Sequence, residues 1–315
     1  MSEAALLSAR DLVVRYGTTE AVRELSLEVH AGEVVGLIGP DGAGKTSTLR
    51  VLGGLLRASA GTAEAFGRDC WRGRRALHHR LGYLAQRFAL YGDLTVDENV
   101  QFFALMYGVR GWRERRAQLL DLVGLAKFRE RIADRLSGGM KQKLALACTL
   151  IHSPEVLLLD EPTTGVDPVT RREFWRLLAQ LVGDGLTLVV ATPYLDEAER
   201  CTRVVLLHHG RVLADRPPGE VPTLLPGVVV EVEAAPRAAA LAALEAYPAV
   251  ADVAVFGTTL HVRLEGVDDP AATVRSALLG RPVELGDVRV IAGGLEDAFL
   301  YLTRNTTAAA VAEAP

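Results

Sequence analysis

The chain has 315 residues, enough for two domains, with a formal net charge of −4, 49% hydrophobic residues and 23% charged residues. This balance argues against a general nucleic-acid binder, which would usually be basic. The three cysteines, Cys70, Cys148 and Cys201, lie far apart without metal-ligand spacing. We therefore expect buried free thiols in a reducing compartment.

The beginning of the chain, "MSEAALLSARDL", lacks the basic region and apolar core of a signal peptide. No apolar run approaches the roughly 18 residues that a membrane span requires. These features predict a cytoplasmic protein, which would need a partner in order to work at a membrane.

Up to residue 215 the chain alternates between predicted strands and helices. Residues 10–38 are predicted strands, because valine and leucine alternate with polar residues. Residues 155–162, "EVLLLDEP", form an apolar run typical of a strand buried on both faces of a parallel sheet. This alternation predicts an α/β domain. Its other predicted elements are a helix at 45–56, a helix-rich segment at 95–152, a helix at 168–182, a strand at 186–193, a helix from 196 and a hairpin at 203–215 that turns at His209 and Gly210.

Residues 216–227, "RPPGEVPTLLPG", carry four prolines and two glycines, which predicts a linker. The pattern beyond it is β-α-β-β-α-β, which predicts a small α+β domain of the ferredoxin-like type, followed by a short amphipathic helix at 294–303. The predicted boundaries are 1–217 for the first domain, with a helical subdomain at about 87–155, then 218–227 for the linker, 228–304 for the C-terminal accessory domain and 305–315 for a flexible tail.

Residues 39–46, "GPDGAGKT", match the pattern G-x-x-x-x-G-K-[ST] between a predicted strand and a predicted helix. Glycines in such a loop let backbone N–H groups surround a phosphate. Lys45 would reach the β- and γ-phosphate oxygens, and the Thr46 hydroxyl would ligate Mg²⁺. The segment predicted to bind the phosphates comprises Gly39, Pro40, Asp41, Gly42, Ala43, Gly44, Lys45, Thr46 and Ser47.

Two acids end the apolar run at 155–162. Asp160 would face the Mg²⁺ that Thr46 holds, and Glu161 would orient and polarise the attacking water. The alternative is that two exposed acids simply cap a strand, but a phosphate-binding loop in the same domain weakens it.

A third pattern, "LSGGM" at residues 136–140, opens an amphipathic helix. A serine N-cap followed by the bare amides of Gly138 and Gly139 makes an anion site at a helix N-terminus. An ordinary capped helix would explain Ser137 but not the glycine pair. Because the first loop already binds phosphate, we expect this second site to serve the nucleotide of another copy.

Together these motifs resemble the ATP-binding subunits of ABC transporters over about residues 6–215. The resemblance implies an ABC ATPase domain, with a RecA-like core and a helical subdomain, that binds ATP and Mg²⁺ and forms a head-to-tail dimer. Tyr16 would stack on adenine, Gln86 would ligate Mg²⁺ and take part in catalysis with Glu161 and Lys45, and Asp167 would lie at the dimer interface. The dimer partner is either an identical or a different ATPase subunit.

The linker, the small C-terminal domain and "GLEDAFLYLT" look like the ATPases of drug-resistance exporters that pair with ABC-2 type permeases. That resemblance implies an ATPase on the inner face of the membrane that drives the efflux of drugs, antibiotics or lipid-like compounds. A soluble ABC ATPase acting on ribosomes or DNA is the alternative. It is disfavoured because the chain has one ATPase unit and no long heptad array.

Two residues depart from the family pattern. Asp41 stands where asparagine is commoner, which we expect to have little effect. Pro193 stands where most members have a histidine that contacts the γ-phosphate, and proline has no donor. A slow ATP clamp is therefore a further alternative.

The arginine-rich stretch at 68–80 is interpreted as a solvated face rather than a nucleic-acid site.

Overall fold

The computed structural model describes residues 4–86 and 90–312, with side chains described as far as residue 305. The chain forms two compact units, Met1–Arg216 and Pro217–Pro315. Within the described ranges, no helix combines the length and the hydrophobicity that crossing a bilayer would require. Cys70, Cys148 and Cys201 are buried thiols, as predicted.

The first unit contains ten strands and seven α-helices among its described residues. The strands are β1 (Leu7–Tyr16), β2 (Thr19–Val29), β3 (Val34–Ile38), β4 (Ala60–Ala65), β5 (Arg68–Asp69), β6 (Leu81–Leu84), β7 (Val156–Asp160), β8 (Thr187–Thr192), β9 (Arg203–His208) and β10 (Arg211–Arg216). The helices are α1 (Lys45–Leu52), α2 (Arg74–Leu77), α3 (Val96–Met106), α4 (Trp112–Leu122), α5 (Gly138–Leu150), α6 (Pro168–Gly183) and α7 (Leu195–Ala198).

A six-stranded sheet of order β10-β9-β3-β8-β7-β6 forms the centre of this unit. Its strands are parallel except β10, which pairs with β9 as the predicted hairpin. Every residue of β3, β7 and β8 is buried, as continuous apolar runs in a parallel sheet require. The carboxyl ends of these three strands therefore meet at one edge of the sheet, where ligands bind in open α/β sheets.

A second sheet, of order β2-β1-β4-β5, is antiparallel. It shares a hydrophobic core with the central sheet and α1, to which Leu12, Leu25, Leu37, Leu49 and Val189 contribute. Strands β4 and β5 were not predicted, nor was β6 of the central sheet. Their sequences are short and poor in β-branched residues, and β4 is held mainly by its pairing with β1, some 50 residues earlier in the chain.

The helices agree with the predictions except at some boundaries and except for α2, which was not predicted. Helix α1 ends at Leu52 rather than at residue 56, because Gly53 and Gly54 follow and Gly54 adopts a positive φ of 67°. The predicted helix-rich segment contains α3, α4 and α5, with two short 3₁₀ helices between α4 and α5. Helix α3 begins with a capping box, in which Thr95 and Glu98 exchange side-chain-to-backbone hydrogen bonds. Residues 87–89, where the helical subdomain was predicted to begin, lie outside the described residues.

The second unit contains the predicted β-α-β-β-α-β order. Its elements are β11 (Val228–Ala235), α8 (Arg237–Glu245), β12 (Val250–Phe256), β13 (Thr259–Leu264), α9 (Pro270–Leu278), β14 (Glu284–Ile291) and a last helix α10 (Leu295–Ala312). The sheet order is β12-β13-β11-β14, and all its pairings are antiparallel. A separate core lies between this sheet and α8 and α9, so the unit has the ferredoxin-like arrangement.

Two segments that were expected to be irregular contain helical structure. Most of the predicted linker is a 3₁₀ helix, Pro218–Leu224, which belongs to the second unit and packs against α10. Proline is compatible with the first turn of a helix, and Pro217 and Pro218 occupy the cap and the first position of this one, whereas Pro222 lies inside it. The predicted tail at 305–315 is helical as far as Ala312, because the alanine-rich sequence favours helix. Residues 313–315 lie outside the described residues.

Candidate functional site

The loop at residues 39–46 (the P-loop) connects the buried strand β3 to α1. Glycine is required at its first position, because a Cβ on Gly39 would lie 2.2 Å from the carbonyl oxygen of Leu207. Gly44 caps α1 with a φ of 105°, and a Cβ there would lie 2.6 Å from the oxygen of Ala21. The sequence therefore forms this tight loop at the helix N-terminus through two positions that exclude any side chain.

Lys45 is buried at the beginning of α1. Its Nζ donates hydrogen bonds to the carbonyl oxygens of Gly39 (2.7 Å) and Pro40 (2.9 Å), and it lies 3.7 Å from Glu161 Oε1. Burial lowers the pKa of Lys45, while the negative charges of Glu161, Asp41 and Asp160 act in the opposite direction. The arrangement holds a cation against the loop, where a phosphate would bind.

Asp160 ends β7 and is 1% exposed. Its Oδ1 accepts a 2.8 Å hydrogen bond from Thr46 Oγ1, and its Oδ2 accepts a 3.0 Å bond from the Tyr83 hydroxyl. Burial, together with the adjacent Asp160 charge, raises the pKa of Tyr83 and keeps its phenol protonated as a donor. A hydroxyl beside a carboxylate supplies the oxygen ligands that Mg²⁺ prefers, so the donor set suits that ion.

Glu161, the next residue, adopts a left-handed backbone conformation with a φ of 49° and is 7% exposed. Its Oε2 accepts hydrogen bonds from Gln86 Nε2 (2.8 Å) and Thr164 Oγ1 (3.2 Å). Its backbone N–H donates to the oxygen of Ala191 in β8 (2.9 Å). A non-glycine residue in this region is strained, and it keeps this conformation only where the surrounding contacts hold it.

These residues surround a cavity of about 360 Å³. That volume lies within the range of small-molecule sites. Apart from Ala21, the lining residues were named from the sequence, whereas Gly39, Pro40 and Asp160 do not line the cavity. The lining residues are Ala21, Asp41, Gly42, Ala43, Gly44, Lys45, Thr46, Ser47, Gln86 and Glu161.

Tyr16, at the end of β1, does not line the cavity. Tyr16 is 47% exposed, and its hydroxyl lies 3.3 Å from Oγ of Ser47, the residue that follows the P-loop. An exposed aromatic ring at this position offers a face for stacking on a base.

Ser137, Gly138, Gly139 and Asp167 also lie outside the lining of this cavity. Ser137 caps α5 by accepting a hydrogen bond from the N–H of Met140, and a Cβ on Gly138 would meet nothing within 4 Å. The first turn of α5 therefore exposes a glycine amide at a capped helix N-terminus, as an anion site requires.

Gly139 and Asp167 are both in contact with Thr170. A Cβ on Gly139 would lie 2.3 Å from Thr170 Cγ2, whereas the Thr170 hydroxyl donates a 2.6 Å hydrogen bond to Asp167 Oδ2. Asp167 also caps α6 through the N–H groups of Val169 and Thr170. Its hydrogen bonds with Thr170 hold the pKa of Asp167 below its usual value. Close packing against Thr170 thus explains why position 139 requires glycine, and the sequence alone did not reveal this contact.

At the end of β8, Thr192 is fully buried and its Oγ1 accepts a 3.1 Å hydrogen bond from the N–H of Tyr194. Pro193 lies between them and contributes no donor. Sequence reasoning did not identify Tyr83 or Thr164 as contacts of the site. Tyr83 lies in the short strand β6 and Thr164 lies in a turn. Neither residue belongs to a sequence motif that would have marked it as part of the site.

A parallel sheet, a P-loop and paired carboxylates at the carboxyl edge define a P-loop nucleotide-binding ATPase. Residues 22–164 match the family described as "ABC transporter". The chain is 36% identical over 307 residues to the daunorubicin/doxorubicin resistance ATP-binding protein DrrA of Streptomyces peucetius, covering 93% of this chain and 90% of that protein. The chain therefore belongs to the family of ABC transporter ATP-binding proteins, and it is an ATPase.

Other relatives agree with this assignment. The Nod factor export ATP-binding protein I of Burkholderia orbicola is 36% identical over 305 residues, covering 95% of this chain and 97% of that protein. The probable multidrug ABC transporter ATP-binding protein YbhF of Escherichia coli K12 is 50% identical over 195 residues, but the match covers 61% of this chain and only 34% of YbhF. The solved structure of CbiO1 from Clostridium perfringens, part of the ABC transporter complex CbiONQ, is 28% identical with a TM-score of 0.63, covering 70% of this chain and 91% of that chain.

Proposed function

We propose that this protein is the ATP-hydrolysing motor subunit of an exporter that moves hydrophobic drugs, antibiotics or lipid-like compounds through a separate membrane permease. The observation that carries the ATPase role is the convergence of Lys45, Thr46, Gln86 and Glu161 around one cavity. The exporter role rests on relatives that match more than 90% of the chain and are named for daunorubicin resistance and Nod factor export.

In this proposal the amides of the P-loop and Lys45 bind the β- and γ-phosphates of ATP. Thr46, Asp160 and Gln86 hold Mg²⁺, which neutralises charge on the phosphates when bound. Gln86 donates its Nε2 to Glu161, so its carbonyl oxygen is the atom that would act as the ligand. Glu161 accepts a proton from the attacking water, and Tyr16 stacks on the adenine.

We further propose a head-to-tail dimer, in which Ser137, Gly138 and Gly139 of one copy contact the γ-phosphate bound by the other. Two facts support it: these residues do not line the cavity of their own chain, and the α5 terminus is exposed. Asp167, exposed at the beginning of α6, would lie at the dimer interface. The partner permease is of the ABC-2 type, and the ATPase docks beneath it on the inner face of the membrane.

The experiment uses cells that contain the protein and compares a deletion strain with strains that carry the native chain or Lys45→Ala. We expect the deletion to raise the intracellular level of a hydrophobic drug such as daunorubicin, and we expect only the native chain to restore export. Affinity purification from detergent-solubilised membranes should recover a multi-span membrane protein. Recovery with ribosomes, together with unchanged drug accumulation, would contradict export and favour the non-transport alternative.

A further inference from the structure

Glu197, in the short helix α7, is a fully buried carboxylate that does not line the nucleotide cavity. Its Oε1 accepts a hydrogen bond from the Thr163 hydroxyl. Its Oε2 is buried and has no hydrogen-bond partner among the residues that the structure describes. Keeping an ionisable group in such a place is costly unless the group is paired, so this carboxylate requires an explanation.

The nearest cation is Arg171, in the first turns of α6, whose Nε lies 3.7 Å from Glu197 Oε1. The guanidinium stacks on the ring of Tyr194 at 4.1 Å from its centroid and lies 3.6 Å from Asp196. The cluster therefore joins α6 to the segment that follows β8 and contains Pro193.

The third contact, Thr163, lies in the loop at residues 161–167. This loop begins with the left-handed Glu161 and ends with Asp167, the cap of α6. A strained residue keeps its conformation only where its surroundings over-determine it. Here the backbone is fixed by the bond from Glu161 N–H to Ala191 O, by the turn in which Thr164 N–H donates to Glu161 O, and by the bond from Thr163 to Glu197.

We propose that Glu197 is a positioning residue for ATP hydrolysis, acting through Thr163 to hold the Glu161 carboxylate at the cavity. Arg171 compensates the buried charge and ties it to α6. The orientation of Glu161 therefore depends on a side chain from the segment beyond β8. This inference rests on the proposed role of Glu161 as the proton acceptor, and it does not depend on the transported compound.

The rate of hydrolysis by the full-length chain at saturating Mg-ATP tests this proposal. Nucleotide affinity and thermal unfolding are measured on the same samples. Thr163→Val keeps the shape but removes the donor, and we expect the rate to fall about tenfold or more, since small misplacements of a catalytic group are costly. ATP affinity should stay within about twofold, because the phosphate contacts are unchanged. Thr163→Ser, which keeps the hydroxyl, should restore most of the rate.

The matched control is Thr149→Val, at a buried threonine that bonds to Ala145 O in α5, away from the cavity. It should leave the hydrolysis rate unchanged even if it lowers the unfolding temperature. Glu197→Leu also removes the ion pair with Arg171, so it should slow hydrolysis at least as much as Thr163→Val. The double variant should be no slower than Glu197→Leu, because both substitutions remove the same bond from Thr163 to Glu197. A native rate in Thr163→Val, an equal loss in Thr149→Val, or no rescue by serine would overturn the proposal.

Discussion

Gln86 Nε2 donates a 2.8 Å hydrogen bond to Glu161 Oε2, which joins two segments 75 residues apart at the edge of the nucleotide cavity. The bond orients the carboxylate that we propose as the acceptor of the proton from water. Lys45 lies 3.7 Å from the other oxygen of the same carboxylate. The Glu161 side chain is thus held between the amide of Gln86 and the ammonium group of Lys45. Its substitution should therefore change the rate of ATP hydrolysis without changing the affinity for ATP.

Glu161→Gln should bind ATP with near-native affinity and lose hydrolysis by about 10²–10⁴-fold, the usual contribution of general-base catalysis. The amide still fills the space beside Gln86 and Lys45 but cannot accept the proton. Steady-state ATPase assays and nucleotide titration measure the two effects, and gel filtration with ATP should show a trapped dimer. Glu114→Gln, at an exposed carboxylate on α4, is the control and should behave as the native chain. Full turnover by Glu161→Gln would rule out this assignment of the base.

Pro193→His should increase the rate of hydrolysis, by about tenfold or more, because a donor to the γ-phosphate stabilises the transition state. We expect the native chain to hydrolyse ATP slowly for the same reason. Pro193→Ala, which removes proline without adding a donor, is the control and should not accelerate turnover. Rates are compared at saturating Mg-ATP. Fast native turnover with no gain from histidine would show that another group fills this role.

Gly139→Ala should lower both the unfolding temperature and the ATPase rate, since its methyl would meet Thr170 Cγ2 at 2.3 Å. Overpacking of this kind costs about 1–3 kcal/mol, and it would displace the hydroxyl that holds Asp167. Adding Thr170→Ser removes the obstructing methyl and keeps the hydroxyl, so the double variant should recover. Gly138→Ala, where a Cβ has open space, is the control for stability. If Thr170→Ser brings no recovery, steric contact is not the cause.

A chain that ends at Arg216 should fold and bind ATP with an affinity within about threefold of the full-length value, because the two units have separate cores. The 3₁₀ helix that follows packs against α10, so this end point is preferable to one within residues 218–224. Circular dichroism, thermal unfolding and nucleotide titration test the prediction. A truncated chain that aggregates or loses ATP binding would refute the independence of the first unit.

His152 should make the protein less stable in mild acid. Burial lowers the pKa of His152 to about 4, and its ring stacks on Tyr107 while Nε2 lies 3.1 Å from Leu81 O. In the unfolded chain the His152 ring binds a proton near pH 6.5, whereas in the folded chain it does so only near pH 4. The contribution of the buried neutral ring to the free energy of unfolding is therefore fully present above pH 6.5 and is lost as the pH falls from 6.5 to 4.

We expect His152 to contribute up to about 2 kcal/mol to this loss, less than the full conversion of the shift because the ring is only partly buried. His152→Phe retains a stacking ring without a titrating group and should flatten the dependence, as measured by urea unfolding from pH 7 to pH 4. His30→Gln, in the turn after β2 and outside this stack, should not flatten it. Identical slopes for native and His152→Phe proteins would refute the role of this ring.

The sequence by itself determined the features that are local. The P-loop motif consists of eight consecutive residues, so it can be recognised in the sequence alone. Buried strands such as Val156–Asp160 follow from continuous apolar runs. The α/β class, the motifs and the β-α-β-β-α-β order were therefore all predicted. The sequence also predicted that Asp160 lies close to Thr46, because the carboxyl ends of β3 and β7 share one edge of the sheet.

Only the tertiary structure decided the contacts between distant segments. The bond from Tyr83 to Asp160, the contact of Gly139 with Thr170 and the buried Glu197 beside Thr163 join residues that are 77, 31 and 34 positions apart. Strand β4 and the 3₁₀ helix at Pro218–Leu224 were likewise not predicted. Their sequences have weak local preferences, so it is pairing and packing with remote elements that determines their conformation.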